Sequence, residues 1–172
     1  DLLALDSNLQ QKIINNKQEQ TDYALFSNFE YQINKNLILR PGIRIIYNDK
    51  YTAPIIPSTN LLYKYKSSRV RLSYAKGFRA PSLKELFFEF VDINHNIIGN
   101  PNLNAETSDN YRLSLSLKNK VCAFQYEINL SSFFNDINNK ISLSNIEDQY
   151  SYFNIEKYKT KGLNLKFNLS KN

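Results

Sequence analysis

Residues that carry chemistry are scarce in this 172-residue chain. Its one cysteine, Cys122, excludes an internal disulfide and a cysteine-based zinc site. Its one histidine, His95, excludes a multi-histidine metal centre. Tryptophan and methionine are absent, and glycine and proline number only 4 and 5, which removes collagen-like and low-complexity classes. No run of ~18 apolar residues is present to make a transmembrane helix. No apolar stretch follows a basic start, so no signal peptide is read and a mature chain or an excised portion is expected. The net charge of +6 comes from scattered lysines and arginines, and nucleic acid is not expected as a partner. Glu85 and Glu89 lie four apart with no nucleophile nearby, and no enzymatic constellation is found.

What is present is a repeated alternation with a period of two. Tyr23, Leu25, Phe29, Tyr31 and Ile33 share one face, against Asp22, Asn28, Glu30 and Gln32 on the other. The pattern recurs as Leu37, Leu39, Pro41, Ile43, Ile45 and Tyr47 against Arg40, Gly42, Arg44 and Asn48. It recurs again around Val70, Leu113, Phe124 and Leu165. Strands are expected near 22–33, 37–48, 56–65, 69–77, 107–118, 121–135 and 150–169, about seven to eight spans in all. Most runs are about ten residues long, which exceeds the usual globular strand and matches a tilted bilayer crossing of ~9–11 residues. Tyrosines and phenylalanines sit near the run ends, as interfacial girdles do.

Connections alternate in length. Short polar turns are expected at Asn34–Asn36, Lys66–Ser68 and Lys118–Lys120, and longer segments at 48–54, 78–106 and 136–149. That sorting fits a transmembrane barrel with short periplasmic turns and long extracellular loops. A short helix is expected from Ser82 to Phe90, with Ser82 as N-cap and Glu85 completing a capping box. The fold class is therefore all-β, a transmembrane antiparallel β-barrel segment. A small stand-alone outer-membrane barrel, adhesive or structural, and a soluble β-sandwich binding module stand as alternatives.

In the barrel reading Arg40, Arg44, Arg69, Arg71, Arg112 and Lys166 point into the lumen, because a charge facing lipid at the midplane costs ~2–4 kcal/mol. Leu39, Ile43, Ile45, Leu113, Leu115, Phe124, Ile128, Leu165 and Phe167 face lipid, and Cys122 is expected on that apolar face too. The lumenal charges either pair with carboxylates or attract an anionic cargo.

The stretch from Tyr74 to Asp109 resembles the central barrel of TonB-dependent outer-membrane receptors. Gly77-Phe78-Arg79-Ala80-Pro81, Leu83-Lys84-Glu85-Leu86, Gly99-Asn100-Pro101-Asn102-Leu103 and Glu106-Thr107-Ser108 carry it. Leu39-Arg40-Pro41-Gly42-Ile43-Arg44, Phe134-Asn135-Asp136-Ile137 with Ile141, and Asn154-Ile155-Glu156-Lys157 with Lys161-Gly162-Leu163 extend it in the same order, with Ala105 and Asn164 departing from the usual Pro and Glu. The resemblance implies a segment, residues 1–172, of a plugged 22-stranded barrel, with the plug and its TonB-contacting segment N-terminal to it and further strands after it. It implies TonB-driven uptake of an iron compound, haem or a ferric siderophore, across the outer membrane of a Gram-negative bacterium. Outer-membrane lipid, the TonB complex and a surface lipoprotein or haemophore are the implied partners. No resident cofactor is implied.

Some haem-transporting members carry a histidine between the two boxes as an axial ligand, which makes His95 the candidate haem-iron ligand if haem is the cargo. Arg79 and Asn100 are further candidates for substrate contact. The box residues Gly77, Phe78, Arg79, Ala80, Pro81, Gly99, Asn100, Pro101, Asn102 and Leu103 are expected to shape the base of one long loop, since each proline holds the residue before it extended.

Overall fold

A computed structural model describes residues 17–91, 96–146 and 148–171. The strands are β1 (Asp22–Asn28), β2 (Tyr31–Asn34), β3 (Leu37–Asn48), β4 (Ile56–Tyr65), β5 (Ser68–Arg79), β6 (Glu89–Val91), β7 (Asn96–Ile98), β8 (Glu106–Val121), β9 (Phe124–Ile146) and β10 (Gln149–Lys171). One short helix, α1 (Leu83–Phe87), lies between β5 and β6. The strands form a single sheet in the order β1-β3-β4-β5-β8-β9-β10-β7-β6, with β2 beside β3. All pairings are antiparallel except β10 with β7. β1 and β2 together make one crossing, so seven spans run up and down, and β6 and β7 belong to the loop between β5 and β8. No second sheet packs on this one among the described residues, which removes the sandwich alternative.

Register converts the alternation into two surfaces, because directly opposed residues of an antiparallel pair share a face. One row reads Leu61, Leu72, Leu113, Ser132 and Leu163 across β4, β5, β8, β9 and β10. The next row toward the short turns reads Tyr63, Val70, Leu115, Leu130 and Leu165. None of these side chains is buried: Leu165 is 67% and Leu113 48% exposed, and Leu61, Val70, Leu130 and Ser132 are half-buried. An apolar face this continuous is what hydrocarbon, not water, accommodates. Its upper edge is aromatic: Tyr74, Tyr111 and Phe134 are opposed in one row, with ring centroids 5.1 and 6.2 Å apart. From Phe124 to Phe134 the band on β9 spans about eleven residues, one tilted crossing.

The opposite surface carries Arg40, Arg44, Arg69, Arg71, Arg112 and Lys166 in one consistent phase. There Arg40 opposes Asn60, which opposes Ser73, which opposes Arg112. Arg71 opposes Ser114, and Ser114 opposes Ser131. On this face Phe133 opposes Gly162, and its ring occupies the space that a Cβ on Gly162 would need, 2.5 Å away. Gly162→Val is expected to push that ring aside and to cost about 1–3 kcal/mol, read as a lowered urea midpoint in vesicles, with Phe133→Ala recovering part of the loss.

Three expectations need correction. The third short turn lies at Cys122–Ala123, not Lys118–Lys120, and β8 runs on to Val121. Cys122 sits in that turn at φ 52°, exposed, rather than on the lipid face. The segment 136–149 is not a long loop: β9 continues to Ile146 and β10 begins at Gln149, with Asp148 at φ 64° in the turn. Beyond Phe134 the two strands therefore project about twelve residues past the girdle, ~40 Å of strand.

Candidate functional site

The loop between β5 and β8 returns to the barrel end and is tied down there by residues from both boxes. Its first anchor is the start of α1. The Ser82 hydroxyl oxygen accepts the Glu85 backbone N–H at 3.3 Å, and the Ser82 N–H donates to Glu85 Oε2 at 2.8 Å. This is the reciprocal capping box that the sequence spacing requires, although the helix stops at Phe87. Pro81, just before it, is fully buried.

Arg79 holds the second anchor. Its Nη1 donates to both carboxylate oxygens of Glu85 at 3.0 and 2.8 Å. Its Nε and Nη2 donate to the two oxygens of Glu106, each at 2.9 Å. One planar guanidinium thus joins the end of β5, the helix and the start of β8 through two forked pairs. Glu106 Oε1 also accepts the Ile141 backbone N–H at 2.5 Å, which ties in β9. Hydrogen bonding to Glu106 raises the Arg79 guanidinium further above its ordinary value, with Glu85 adding to it against the effect of burial. Burial is the largest single influence on Glu85 and Glu106 and pushes both carboxyls up. The Arg79 hydrogen bonds and charge, joined by the Ser82 bonds at Glu85 and the Ile141 N–H at Glu106, together outweigh it, so each lies below the usual carboxylate range.

The second box closes on this base. The Gly99 N–H donates to the Phe88 carbonyl at 2.6 Å, and the Asn100 N–H donates to the Glu85 carbonyl at 2.9 Å. A Cβ on Gly99 would lie 2.7 Å from the backbone of Leu86 and Phe87, so only glycine permits that approach. The Asn100 side chain donates to the Tyr152 carbonyl at 2.9 Å, and its oxygen accepts the Asn102 N–H at 2.9 Å. Leu103 packs with Leu86 and Ile141 in a small apolar core against Tyr152. Asn154 donates to the carbonyls of Asn104 and Asn139 at 3.0 and 2.7 Å. β7 then lies parallel to the start of β10, with Ile97 opposite Tyr150.

The two boxes, whose first residues Gly77 and Gly99 are 22 positions apart in the chain, are therefore brought together at one barrel end, and the projecting β9–β10 hairpin is part of their support. Gly77, Phe78 and Arg79 finish β5, and Ala80 and Pro81 lead into α1. Pro101 and Asn102 form a turn before Leu103. His95 falls between β6 and β7 and lies outside the described residues. On the inward face Arg40 donates to Glu30 at 2.6 Å, whereas Arg44, Arg69, Arg71, Arg112 and Lys166 have no acidic partner among the described residues. Tyr152, Asn154 and Ile141 were missed as site residues by the sequence reading. Asn154 and Ile141 could have been found from their places in the last two matched motifs, but nothing local marks Tyr152.

A family model described as TonB dependent receptor-like, beta-barrel, matches residues 4–170. The siderophore receptor PirA from Pseudomonas aeruginosa superposes with a TM-score of 0.69 at 21% identity, covering 88% of this chain and 32% of that one. The hemophore receptor HasR of Serratia marcescens, solved with its hemophore HasA and heme, gives a TM-score of 0.75 at 14% identity, over 88% of this chain and 32% of that one. The ferric enterobactin receptor PfeA of Pseudomonas aeruginosa gives 0.66 at 21%, over 85% and 24%. At these identities the likeness is one of fold. A stretch of 48 residues is 40% identical to the probable hemoglobin and hemoglobin-haptoglobin-binding protein 4 of Haemophilus influenzae, covering 28% of this chain and 5% of that protein. The chain spans between a quarter and a third of the length of these solved structures.

Proposed function

Because the chain belongs to the TonB-dependent receptor β-barrel family, we propose that it forms the central wall of an outer-membrane receptor whose TonB-driven cargo is an iron compound, with haem as that compound. The observation that carries this reading is the anchored loop base. Arg79, Glu85, Glu106, Gly99 and Asn100 fix both ends of a loop at the wide-loop end of the barrel. A fixed base lets a loop tip serve capture without a core of its own. His95 lies in that tip by sequence. Its neutral imidazole is a suitable axial ligand for haem iron, oriented through its second nitrogen. The short stretch of identity with a haemoglobin-binding protein adds support for haem, and the siderophore receptors of like fold support the second reading, a ferric siderophore. Under either cargo the inward arginines without partners attract carboxylates or other anionic groups. Outer-membrane lipid, the TonB complex acting through an N-terminal plug, and a surface lipoprotein or haemophore are the partners this function calls for.

The test uses the full-length receptor. His95→Ala is expected to lower haem affinity about tenfold or more, followed by the Soret band, with barrel assembly unchanged. Wild-type binding should weaken as pH falls through ~6.5, where imidazole takes up a proton. Uptake equal to wild type by His95→Ala would remove the haem assignment and put the siderophore reading first.

A further inference from the structure

The apolar outward face of β10 ends in a ladder of lysines. Leu169, Phe167, Leu165 and Leu163 are followed in the same phase by Lys161, Lys159 and Lys157. Register sets their height against the membrane. Lys161 opposes Phe134, so it stands in the girdle row with Tyr111 and Tyr74. Lys159 opposes Asp136 one row higher, and Lys157 opposes Asn138 above that. All three lysines are exposed.

Charge in these rows is unevenly balanced. Lys159 pairs with Asp136 at 3.3 Å, and Lys76 pairs with Asp109 at 3.6 Å in the same row. Lys157 and Lys161 have no acidic partner among the described residues. Two surplus positive charges therefore sit about 13 Å apart along one strand, beside an aromatic shelf and immediately above hydrocarbon. Lysines on a lumen wall or a loop tip would face water. These face whatever borders the acyl chains, which at this end of the barrel is the headgroup layer of the outer leaflet.

We propose that Lys157 and Lys161 bind phosphate groups of a phosphorylated glycolipid in the outer leaflet, with Phe134 and Tyr111 packing against its sugar and upper acyl segments. Such a site needs the barrel to sit in a membrane and needs no particular cargo. Lysine supplies a point charge suited to phosphate, and the fixed spacing of alternate strand residues presents two such charges without ordering a loop.

The experiment measures lipid bound to the purified full-length receptor by native mass spectrometry, with diphosphoryl lipid A as probe. Each lysine at an anionic surface contributes about fivefold, so the double variant Lys157→Gln, Lys161→Gln is expected to bind about 30-fold more weakly. Lys157→Arg, Lys161→Arg should retain binding. Lys171→Gln, exposed on the same face at the opposite end of the strand, should bind like wild type. Phosphatase-treated lipid should bind wild type and double variant equally. Unchanged affinity in the double variant, or an equal loss in Lys171→Gln, would overturn the site. Haem or siderophore uptake measured in parallel separates this result from failure of the cargo reading.

Discussion

An Arg79→Ala receptor is expected to lose its anchored loop base while keeping its barrel. The guanidinium is the only group that reaches both Glu85 and Glu106 in the described structure, and it makes four hydrogen bonds to them. Without it, two carboxylates with side chains only 15% and 18% exposed face each other with no counter-ion. Breaking a fully buried pair costs ~3–5 kcal/mol; Arg79 itself is 44% exposed, so solvent screening brings the expectation down to about 2 kcal/mol. The loss falls on the contacts that depend on those carboxylates. Protection of the Ile141 and Gly99 amides against hydrogen exchange should drop about 30-fold, whereas amides of β4 and β5 below the girdle should be unchanged. Equal loss across the sheet would mean that the clamp supports the whole wall rather than the loop.

The same substitution should reverse the pH dependence of the loop base. Glu85 and Glu106 have folded values below their ordinary ones. A carboxyl depressed in this way adds stability that is fully present above its unfolded value, ~4.3, and is lost as pH falls through the folded value. The wild-type base should therefore hold from neutral pH to about pH 4 and loosen below it. In Arg79→Ala the guanidinium's lowering influence is gone. The Ser82 bonds still hold Glu85 down, but at Glu106 burial and repulsion from Glu85 are opposed only by the Ile141 N–H, so Glu106 rises. Its loop base should tighten as pH falls from neutral, because proton uptake then relieves the charge. Opposite slopes of amide protection against pH distinguish a charge clamp from a loss of side-chain packing alone.

How legible each element was in the sequence follows from what surrounds it. Leu113 and Leu115 alternate with Arg112 and Ser114 because hydrocarbon lies on one side and a polar interior on the other, so their strand was readable. Above the girdle both faces meet polar surroundings, and Asp136, Asn138 and Ser142 break the apolar stripe without ending β9. Polarity there looked like a loop although the ladder of hydrogen bonds continues. The turn at Cys122–Ala123 has none of the residues that usually mark a positive φ, while Lys118 and Lys120 looked like a turn but keep the inward phase of Ser116. At the loop base, the capping box was visible in the three-residue spacing of Ser82 and Glu85. The link from Glu106 to the Ile141 amide was not, because it joins residues 35 apart through a backbone group that has no sequence signature.

Arginine scanning across the sheet should reproduce the two faces one residue at a time. Leu115 opposes Val70 and Leu130 and lies midway between the Tyr111 row and the row that holds Tyr126. It is therefore close to the bilayer midplane, where an arginine facing lipid costs about 2–4 kcal/mol. Ser131 opposes Ser114 and Asn164 on the inward face, at nearly the same height. An arginine there meets a polar interior and should change stability by no more than about 0.5 kcal/mol. Leu115→Arg should thus lower the urea midpoint of the receptor folded into lipid vesicles, or abolish folding into them, while Ser131→Arg folds like wild type. Should Leu115→Arg fail to insert at all, Leu115→Gln supplies the graded comparison. Because the side-chain period is two, a register one residue out would exchange the two outcomes. A costlier Ser131→Arg would mean that the arginine-bearing face, with Arg71 and Arg112, is the one turned to lipid, and no membrane barrel could be built from this sheet.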